Sequence, residues 1–130
     1  MRYACFGLLV LMLAGCNEVT RPIDGRADPY PASQITFASQ DLHDKTAIAP
    51  PIVERRDGIL FVTVPIRSAS NYDLRLDYRV TFYNSNGSPL YLPVYWEPMA
   101  TLIHNVPSEL RFNSTTSEAA DWRLDLRYQR

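Results

Sequence analysis

The sequence predicts an all-β fold, a β-sandwich of about six to eight short antiparallel strands with at most one short helical turn. Apolar and polar residues alternate along most of the chain after residue 33, and turn residues separate the alternating segments at close spacing. The alternation is clearest in residues 74–84, and residues 122–128 repeat it. Each of these segments has one apolar face, as a strand that covers a core requires.

Other segments supply the remaining strands. Residues 59–67 are apolar on both faces, which predicts a central strand, and residues 35–37 predict an edge strand that opens the domain. Leu110 and Phe112 indicate a shorter strand. One more alternating set predicts a strand with its apolar side chains toward the core: Leu90, Leu92, Val94 and Trp96.

Two turns and one helical segment complete the predicted domain. Asp57-Gly58 and Asn86-Gly87 contain the two glycines that follow residue 33, and such pairs favour hairpin turns because they adopt positive φ. The only helical candidate is residues 116–121.

The first sixteen residues have the pattern of a lipoprotein signal. Met1 and Arg2 give a positive start, and an apolar run over residues 3–13 is too short to span a bilayer, which needs about 20 apolar residues. The run ends in what looks like a lipobox: Leu13, Ala14, Gly15 and Cys16. The Cys16 thiol would take a diacylglyceryl group, and the two small residues before it would let a peptidase reach the bond. The alternative is an ordinary signal peptide with a coincidental cysteine.

Three regions are therefore predicted: a signal peptide (residues 1–15) that is removed, the lipidated Cys16 with a flexible tether (16–33), and a sandwich domain (34–130). The tether contains Pro22, Pro29 and Pro31 and no apolar periodicity. Removal of residues 1–15 leaves 115 residues, enough for one domain. Asn17 follows the cysteine, and this favours delivery to the outer membrane in Gram-negative bacteria.

Charge and cysteine content exclude some classes of function. The chain has 13 basic and 14 acidic residues, so the loss of Arg2 leaves 12 against 14 and a mature formal charge of −2. No basic block indicates binding to nucleic acid. Cys5 leaves with the signal and Cys16 carries lipid, so the mature domain has no disulfide.

Residues 51–127 resemble the YcfL-like family of small bacterial lipoproteins. The resemblance lies in these residues: Val53-Glu54-Arg55, 58–62, 67–71, 76–83, Gly87, Trp96, Ala119, Ala120 and 122–126. It implies an Ig-like sandwich in the Gram-negative envelope, with no known enzymatic activity and no catalytic residues. Genes of this family often lie near those of peptidoglycan-synthase activator lipoproteins, which suggests a cell-wall context.

The residues needed for hydrolytic catalysis are scarce. The mature chain has two histidines and no free thiol, and no Gly-x-Ser-x-Gly sequence occurs. The serines of residues 68–71 are typical of a turn at the end of a strand. We therefore expect no catalytic residue and no cofactor.

His43 and His104 are the candidate residues for a metal site. Asp41 and His43 would share a face if their segment is extended, and Met99 on a loop would add a soft ligand of the kind that selects copper. The alternative is that the aspartate and His43 belong to a polar turn and that Met99 packs beneath Trp96. We expect no bound metal.

Tyr91 and Tyr95 are the candidate partner-binding residues. If residues 90–96 form a strand with the even-numbered side chains inward, both tyrosines face outward, and aromatic residues are enriched at the centres of interfaces. Alternatively, they cover the second face of a thin sandwich or pack under the loop of residues 97–107.

Alternating charges follow two of the predicted strands: Arg75, Asp77, Arg79, Arg123, Asp125 and Arg127. Such a face either binds a partner or is a solvated surface with cross-strand charge pairs, and the second interpretation is the more common.

These observations predict an outer-membrane lipoprotein that is held by its acyl chains and faces the periplasm. It would act as a non-enzymatic module that binds an unidentified envelope protein, and the family resemblance suggests a link to cell-wall synthesis. The alternatives are a structural lipoprotein of a secretion apparatus and a periplasmic ligand or copper carrier.

Overall fold

The computed structural model describes residues 34–130. The predicted signal peptide (residues 1–15), its lipobox, Cys16 and the tether (16–33) lie outside the described residues and stay predictions. In the described part of the chain, no helix is both long and apolar enough to cross a membrane.

The described residues form nine strands and one helix. Their bounds are β1 (Ile35–Phe37), α1 (Gln40–Lys45), β2 (Thr46–Ile48), β3 (Ile52–Arg56), β4 (Ile59–Ser68), β5 (Leu76–Tyr83), β6 (Pro89–Leu90), β7 (Glu97–Pro98), β8 (Ser108–Asn113) and β9 (Asp121–Tyr128).

The first sheet is built on β5 and β9, which pair antiparallel over their whole length, from Leu76 opposite Tyr128 to Tyr83 opposite Asp121. β1 lies on the other side of β9, whereas β6 and β7 both pair with the free edge of β5. β1 runs parallel to β9, so the expectation that all strands are antiparallel is wrong here. No hairpin constrains β1, because the chain leaves it through α1 toward the second sheet.

The second sheet is centred on β4, as predicted from its apolar residues. β2 and β3 pair with one edge of β4 in succession, separated by Pro50 and Pro51, and β8 pairs with the other edge. The alternate residues of β4 from Leu60 to Ile66 are buried, and they join the inner residues of β5 and β9 in one core. The predicted all-β sandwich is confirmed.

Phe112 of β8 links the two sheets through aromatic contacts. Its ring centroid lies 5.5 Å from that of Trp122 on β9 and 6.1 Å from that of Phe82 on β5, in edge-to-face arrangements. Such pairs add about 0.5–1.5 kcal/mol beyond the area that they bury. Phe112 itself is only partly buried, since β8 is an edge strand and the sandwich is open beside it.

The glycine turns are confirmed. Asp57 and Gly58 have φ of 49° and 80°, as a two-residue hairpin turn requires, and Gly87 also has φ of 80°. The Asn84 side chain closes the second turn by accepting hydrogen bonds from the N–H groups of Asn86 (3.0 Å) and Ser88 (2.9 Å).

The helix lies elsewhere than predicted. Residues 116–121 form turns and the start of β9, whereas Gln40–Lys45 forms α1. The Ser39 hydroxyl caps α1 by accepting from the Leu42 N–H at 3.2 Å, and the Leu42 side chain is fully buried. The cap and this one buried residue stabilise a helix that is too short to show a helical period.

Candidate functional site

The edge of the first sheet is broken beside the middle of β5. Phe82 pairs with Leu90 of β6, and Tyr78 pairs with Glu97 of β7. Seven residue steps separate Leu90 from Glu97, whereas four separate Tyr78 from Phe82, so the intervening residues cannot follow β5. Residues 91–96, here called the edge loop, leave the sheet between these two pairings. The prediction of a continuous strand through Trp96 is wrong.

Two residues explain why the chain leaves the sheet. Tyr91 has φ of 57°, which ends an extended strand, and Pro93, which follows a cis peptide bond, has no N–H to give to a ladder. As a result Leu92 is 62% exposed instead of facing the core.

Trp96 lies on the outer face of the first sheet, not in the core as predicted. Its ring centroid is 4.6 Å from the Arg79 guanidinium carbon and 4.2 Å from that of Arg127. Arg79 also donates to Asp125 at 2.8 Å, and Arg127 donates to Asp77 at 3.2 Å. The predicted cross-strand charge pairs are therefore present, and an aromatic ring covers them.

Tyr91 lies on the inner side of the edge loop. Its ring centroid is 6.1 Å from that of Phe82, and its hydroxyl accepts from the Thr116 N–H at 3.1 Å. The outward orientation predicted for Tyr91 is wrong, because its side chain fastens the edge loop to the chain that precedes β9. Tyr95 is 71% exposed, although it lies on the edge loop and not on the predicted strand.

A groove opens between the inner face of β5, the end of β8 and the edge loop, and it has a volume of about 250 Å³. We call it the edge groove. Val80, Phe82 and Phe112 line it from the sandwich, and Tyr91 and Tyr95 line it from the edge loop. It exists because the edge loop carries the backbone away from β5 between β6 and β7, where one continuous strand would otherwise pair with β5.

One ionisable pair lies at the β7 end of the edge groove. The Tyr78 hydroxyl donates to Glu97 Oε2 at 2.9 Å. Partial burial, and then the hydrogen bond to this carboxylate, raise the pKa of Tyr78 above its usual value. Among the described residues that line the groove, Glu97 is the only one with a charged side chain.

The two histidines have separate local partners. His43, on α1, packs edge-on against Phe37 with the ring centroids 5.0 Å apart, and its Nδ1 lies 3.3 Å from Asp44 Oδ1. His104 Nδ1 lies 3.5 Å from Asp73 Oδ1.

The structure removes the geometric basis of the metal hypothesis. Residues 41–43 are helical, so Asp41 and His43 do not share a face. Met99 packs against the core. Within residues 34–130, no group of three or more His, Cys, Asp or Glu side chains is placed to hold a metal ion.

The serines at the end of β4 serve the turn that the sequence predicts there. The buried Ser68 hydroxyl donates to the Tyr72 carbonyl at 2.8 Å, and the Ser70 hydroxyl donates to the same carbonyl at 2.8 Å. These bonds hold the loop between β4 and β5.

Neither a known protein-family model nor a curated protein matches the chain. Two solved structures resemble it. The crystal structure of Campylobacter jejuni cj0090 aligns with a TM-score of 0.64 and 16% identity, over 75% of this chain and 99% of that one. A DUF1425 family member from Shewanella sp. pv-4 aligns with a TM-score of 0.57 and 23% identity, over 65% of this chain and 79% of that one. The fold is thus shared with other bacterial proteins.

Proposed function

We propose that this chain is a lipid-anchored envelope protein of the YcfL-like kind, and that its sandwich binds another envelope protein without catalysing a reaction. The observation that carries the binding role is the edge groove. It is lined by the partly buried Tyr78 and Val80 of the inner face of β5, and Tyr95 and Leu92 stand exposed on the edge loop beside it. An exposed aromatic next to an apolar recess is typical of a binding surface.

The anchoring part of the proposal rests on the sequence. Cys16 would carry the acyl chains, and Asn17 favours the outer membrane with the domain facing the periplasm. Residues 17–33 would connect this anchor to the start of the domain, where the Gln34 amide donates to Asp121 Oδ1 at 2.9 Å. The family resemblance supports a partner in cell-wall synthesis.

Site-specific photo-cross-linking in cells tests the binding role. A photoreactive amino acid at Tyr95 of the full chain should give one discrete adduct with an envelope protein. Arg123 is the matched control, because it is also exposed but lies on the outer face of the first sheet. Its guanidinium carbon lies 5.2 Å from the Tyr83 ring centroid, so it too has an aromatic neighbour. Equal adducts from both positions, or none from Tyr95, would remove the edge groove as the binding surface.

A further inference from the structure

β3 lies at an edge of the second sheet. It pairs with β4 on one side, and within residues 34–130 no strand pairs with its other side, here called the free edge. All five residues of β3 are exposed. An unpaired strand edge is a template for another strand, and proteins usually protect such an edge with charges, prolines or a covering segment.

The backbone groups on the free edge belong to alternate residues. On β4, the Leu60 carbonyl accepts from the Ser114 N–H at 2.9 Å, so the even-numbered residues of β4 point toward β8. Its odd-numbered residues therefore point toward β3, where they face the even-numbered residues of that strand. Val53 and Arg55 thus direct their N–H and C=O groups to the free edge. The Pro51 carbonyl does the same, because the N–H of its planar peptide unit points to β4.

The charged side chains of β3 are engaged within the domain. Arg55 donates to the carbonyls of Gly58 at 2.8 Å and Ala119 at 2.9 Å. The Arg56 Nε lies 3.6 Å from Glu54 Oε2. These charges are already partnered, so they protect the free edge less than unpaired charges would.

Val53 points to the core face but is not covered by the domain. It lies opposite Val62, which is 1% exposed, and residues opposite each other in a sheet share a face. Val53 is nevertheless 49% exposed, and Ile52 on the other face of the strand is 53% exposed. Each face of β3 therefore carries an apolar side chain that the described residues leave in water.

We propose that the free edge of β3 pairs with the free edge of a second copy of this chain, antiparallel and with the two-fold axis at Val53. The two Val53 residues then exchange N–H···O=C bonds in both directions, and the Arg55 N–H of each copy donates to the Pro51 carbonyl of the other. The Val53 side chains meet on the core face, and the Ile52 side chains lie diagonally across the axis on the other face. This inference goes beyond the proposed function and does not involve the edge groove.

Charge and donor placement select this axis. An axis at Glu54 would set two glutamates directly opposite each other, and an axis at Arg55 would do the same with two arginines, which destabilises a sheet. An axis at Ile52 would set Val53 opposite Pro51, which has no N–H for the Val53 carbonyl. The free edge is therefore complementary to itself in one register, and this identifies a second copy as its occupant.

The membrane anchor of the proposed function would favour this pairing. Two five-residue strands form a small contact compared with a stable interface, which buries about 1,200–2,000 Å² in total. Acyl chains at Cys16 would hold the copies at one surface, where their effective concentration is high. We therefore expect dimers on the membrane and in concentrated solution.

Thiol cross-linking of the full chain in intact cells tests the axis. Val53→Cys places the thiols of two copies next to each other, within reach of a short bifunctional reagent. Val106→Cys is the matched control, because Val106 is also 49% exposed but lies on the loop between β7 and β8. Above the background of the unchanged chain, Val53→Cys should give about fivefold more cross-linked dimer than the control. Equal yields from the two positions would reject the proposal.

A charge exchange tests whether Val53 meets its own copy. In sedimentation equilibrium of the full chain in detergent, Val53→Lys and Val53→Glu should each raise the dimer dissociation constant about tenfold, because like charges then face each other. An equal mixture of the two should restore the affinity, whereas the same pair of changes at Val106 should have no effect. The proposal fails if the mixture shows no rescue, or if the unchanged chain stays monomeric up to its solubility limit.

Amide hydrogen exchange distinguishes other occupants of the free edge. The Val53 and Arg55 amides should become protected as the protein concentration rises, whereas the Glu54 amide, which faces β4, should be protected throughout. Protection of Val53 that does not depend on concentration and is lost on deletion of residues 17–33 would show that the chain covers its own edge, against the proposal. The Tyr95 adduct with an envelope protein does not depend on Val53, so this inference and the proposed function can fail separately.

Discussion

The Arg127 guanidinium lies over the Trp96 ring, with 4.2 Å between the guanidinium carbon and the ring centroid. The edge loop therefore contacts both faces of the first sheet, because Trp96 packs on the outer face whereas Tyr91 packs on the inner side against Phe82. These two contacts hold open the groove that the edge loop borders.

Replacing Trp96 tests this arrangement. Trp96→Ala removes two cation–π contacts, each worth about 0.5–1 kcal/mol, and should lower the free energy of unfolding by about 1–2 kcal/mol in chemical denaturation. Tyr95→Ala is the control, because its side chain is on the same loop and largely exposed, and it should change the free energy of unfolding very little. Equal effects of the two changes would contradict the assigned role of Trp96.

The Tyr91 hydroxyl has a measurable structural role. Tyr91→Phe leaves the ring on Phe82 but removes the oxygen that accepts from the Thr116 N–H, so it should destabilise the fold by about 1 kcal/mol. Tyr91→Ala should cost more, since the ring contact is lost as well. Tyr95→Phe should have no effect on thermal unfolding. A Tyr91→Phe variant as stable as the unchanged protein would show that water replaces this bond.

A surface network at α1 should make stability depend on pH. The Tyr128 hydroxyl donates to Asp41 Oδ2 at 2.5 Å, and with Lys45 it holds the pKa of Asp41 below its usual 3.8. A carboxyl group whose pKa is lower in the folded state stabilises the fold at pH values above its pKa in the unfolded state. This stabilisation is lost as the pH falls through its pKa in the folded state. Asp41→Asn should therefore flatten the acid limb of a plot of melting temperature against pH, whereas Glu118→Gln should leave it unchanged.

The hydrogen bond between Tyr128 and Asp41 should also make the stability of the fold decrease at alkaline pH. Burial, and then the hydrogen bond to Asp41, raise the pKa of Tyr128 to about 12. A tyrosine whose pKa is higher in the folded state stabilises the fold at pH values below its pKa in the unfolded state. This stabilisation is lost as the pH rises through the folded-state pKa of about 12. An Asp41→Asn variant with both limbs unchanged would contradict the coupling between these two residues.

The anchor prediction concerns Cys16. Cys16→Ser should abolish palmitate labelling and processing by the lipoprotein peptidase, and should release the protein from membranes, because stable anchoring requires two or more acyl chains. Cys5→Ser is the control and should leave labelling intact, since Cys5 lies in the segment that is predicted to be removed. Labelling of the Cys16→Ser protein would show that the acylated residue is a different one.

The parts of the fold that depend on local alternation could be predicted from the sequence. β5 and β9 were expected because residues two positions apart share a face in any strand, whatever its neighbour. The edge loop could not be predicted in this way, because residues 90–96 alternate in sequence as a strand does. They form a loop only because β6 and β7 pair with two positions of β5 that are closer together than residues 90 and 97 are along the chain. That register is a non-local property, and the position of Trp96 follows from it.

The candidate site also combines features that depend on local sequence with features that depend on distant strands. The alternation places Tyr95 outward on a strand that does not form, and its exposure comes instead from the edge loop, whose two ends depend on where β6 and β7 pair with β5. α1 was missed because one turn and a half of helix has no visible period, and its stability comes from the Ser39 cap and the burial of Leu42. The positive φ of Tyr91 could not be predicted from the sequence, because tyrosine is not a residue that favours this conformation.

The parallel pairing of β1 with β9 determines how the domain bears mechanical load. Any tension in the chain before residue 34 reaches the sandwich through the Gln34 amide and then through β1, which is joined to β9 by three residue pairs, beginning with Ile35 opposite Leu124. A pull along the strand axis loads these pairs together in shear, whereas a sideways pull peels them one at a time. The strength of this attachment is therefore set by three residue pairs and by the burial of the Ile35 side chain in the core.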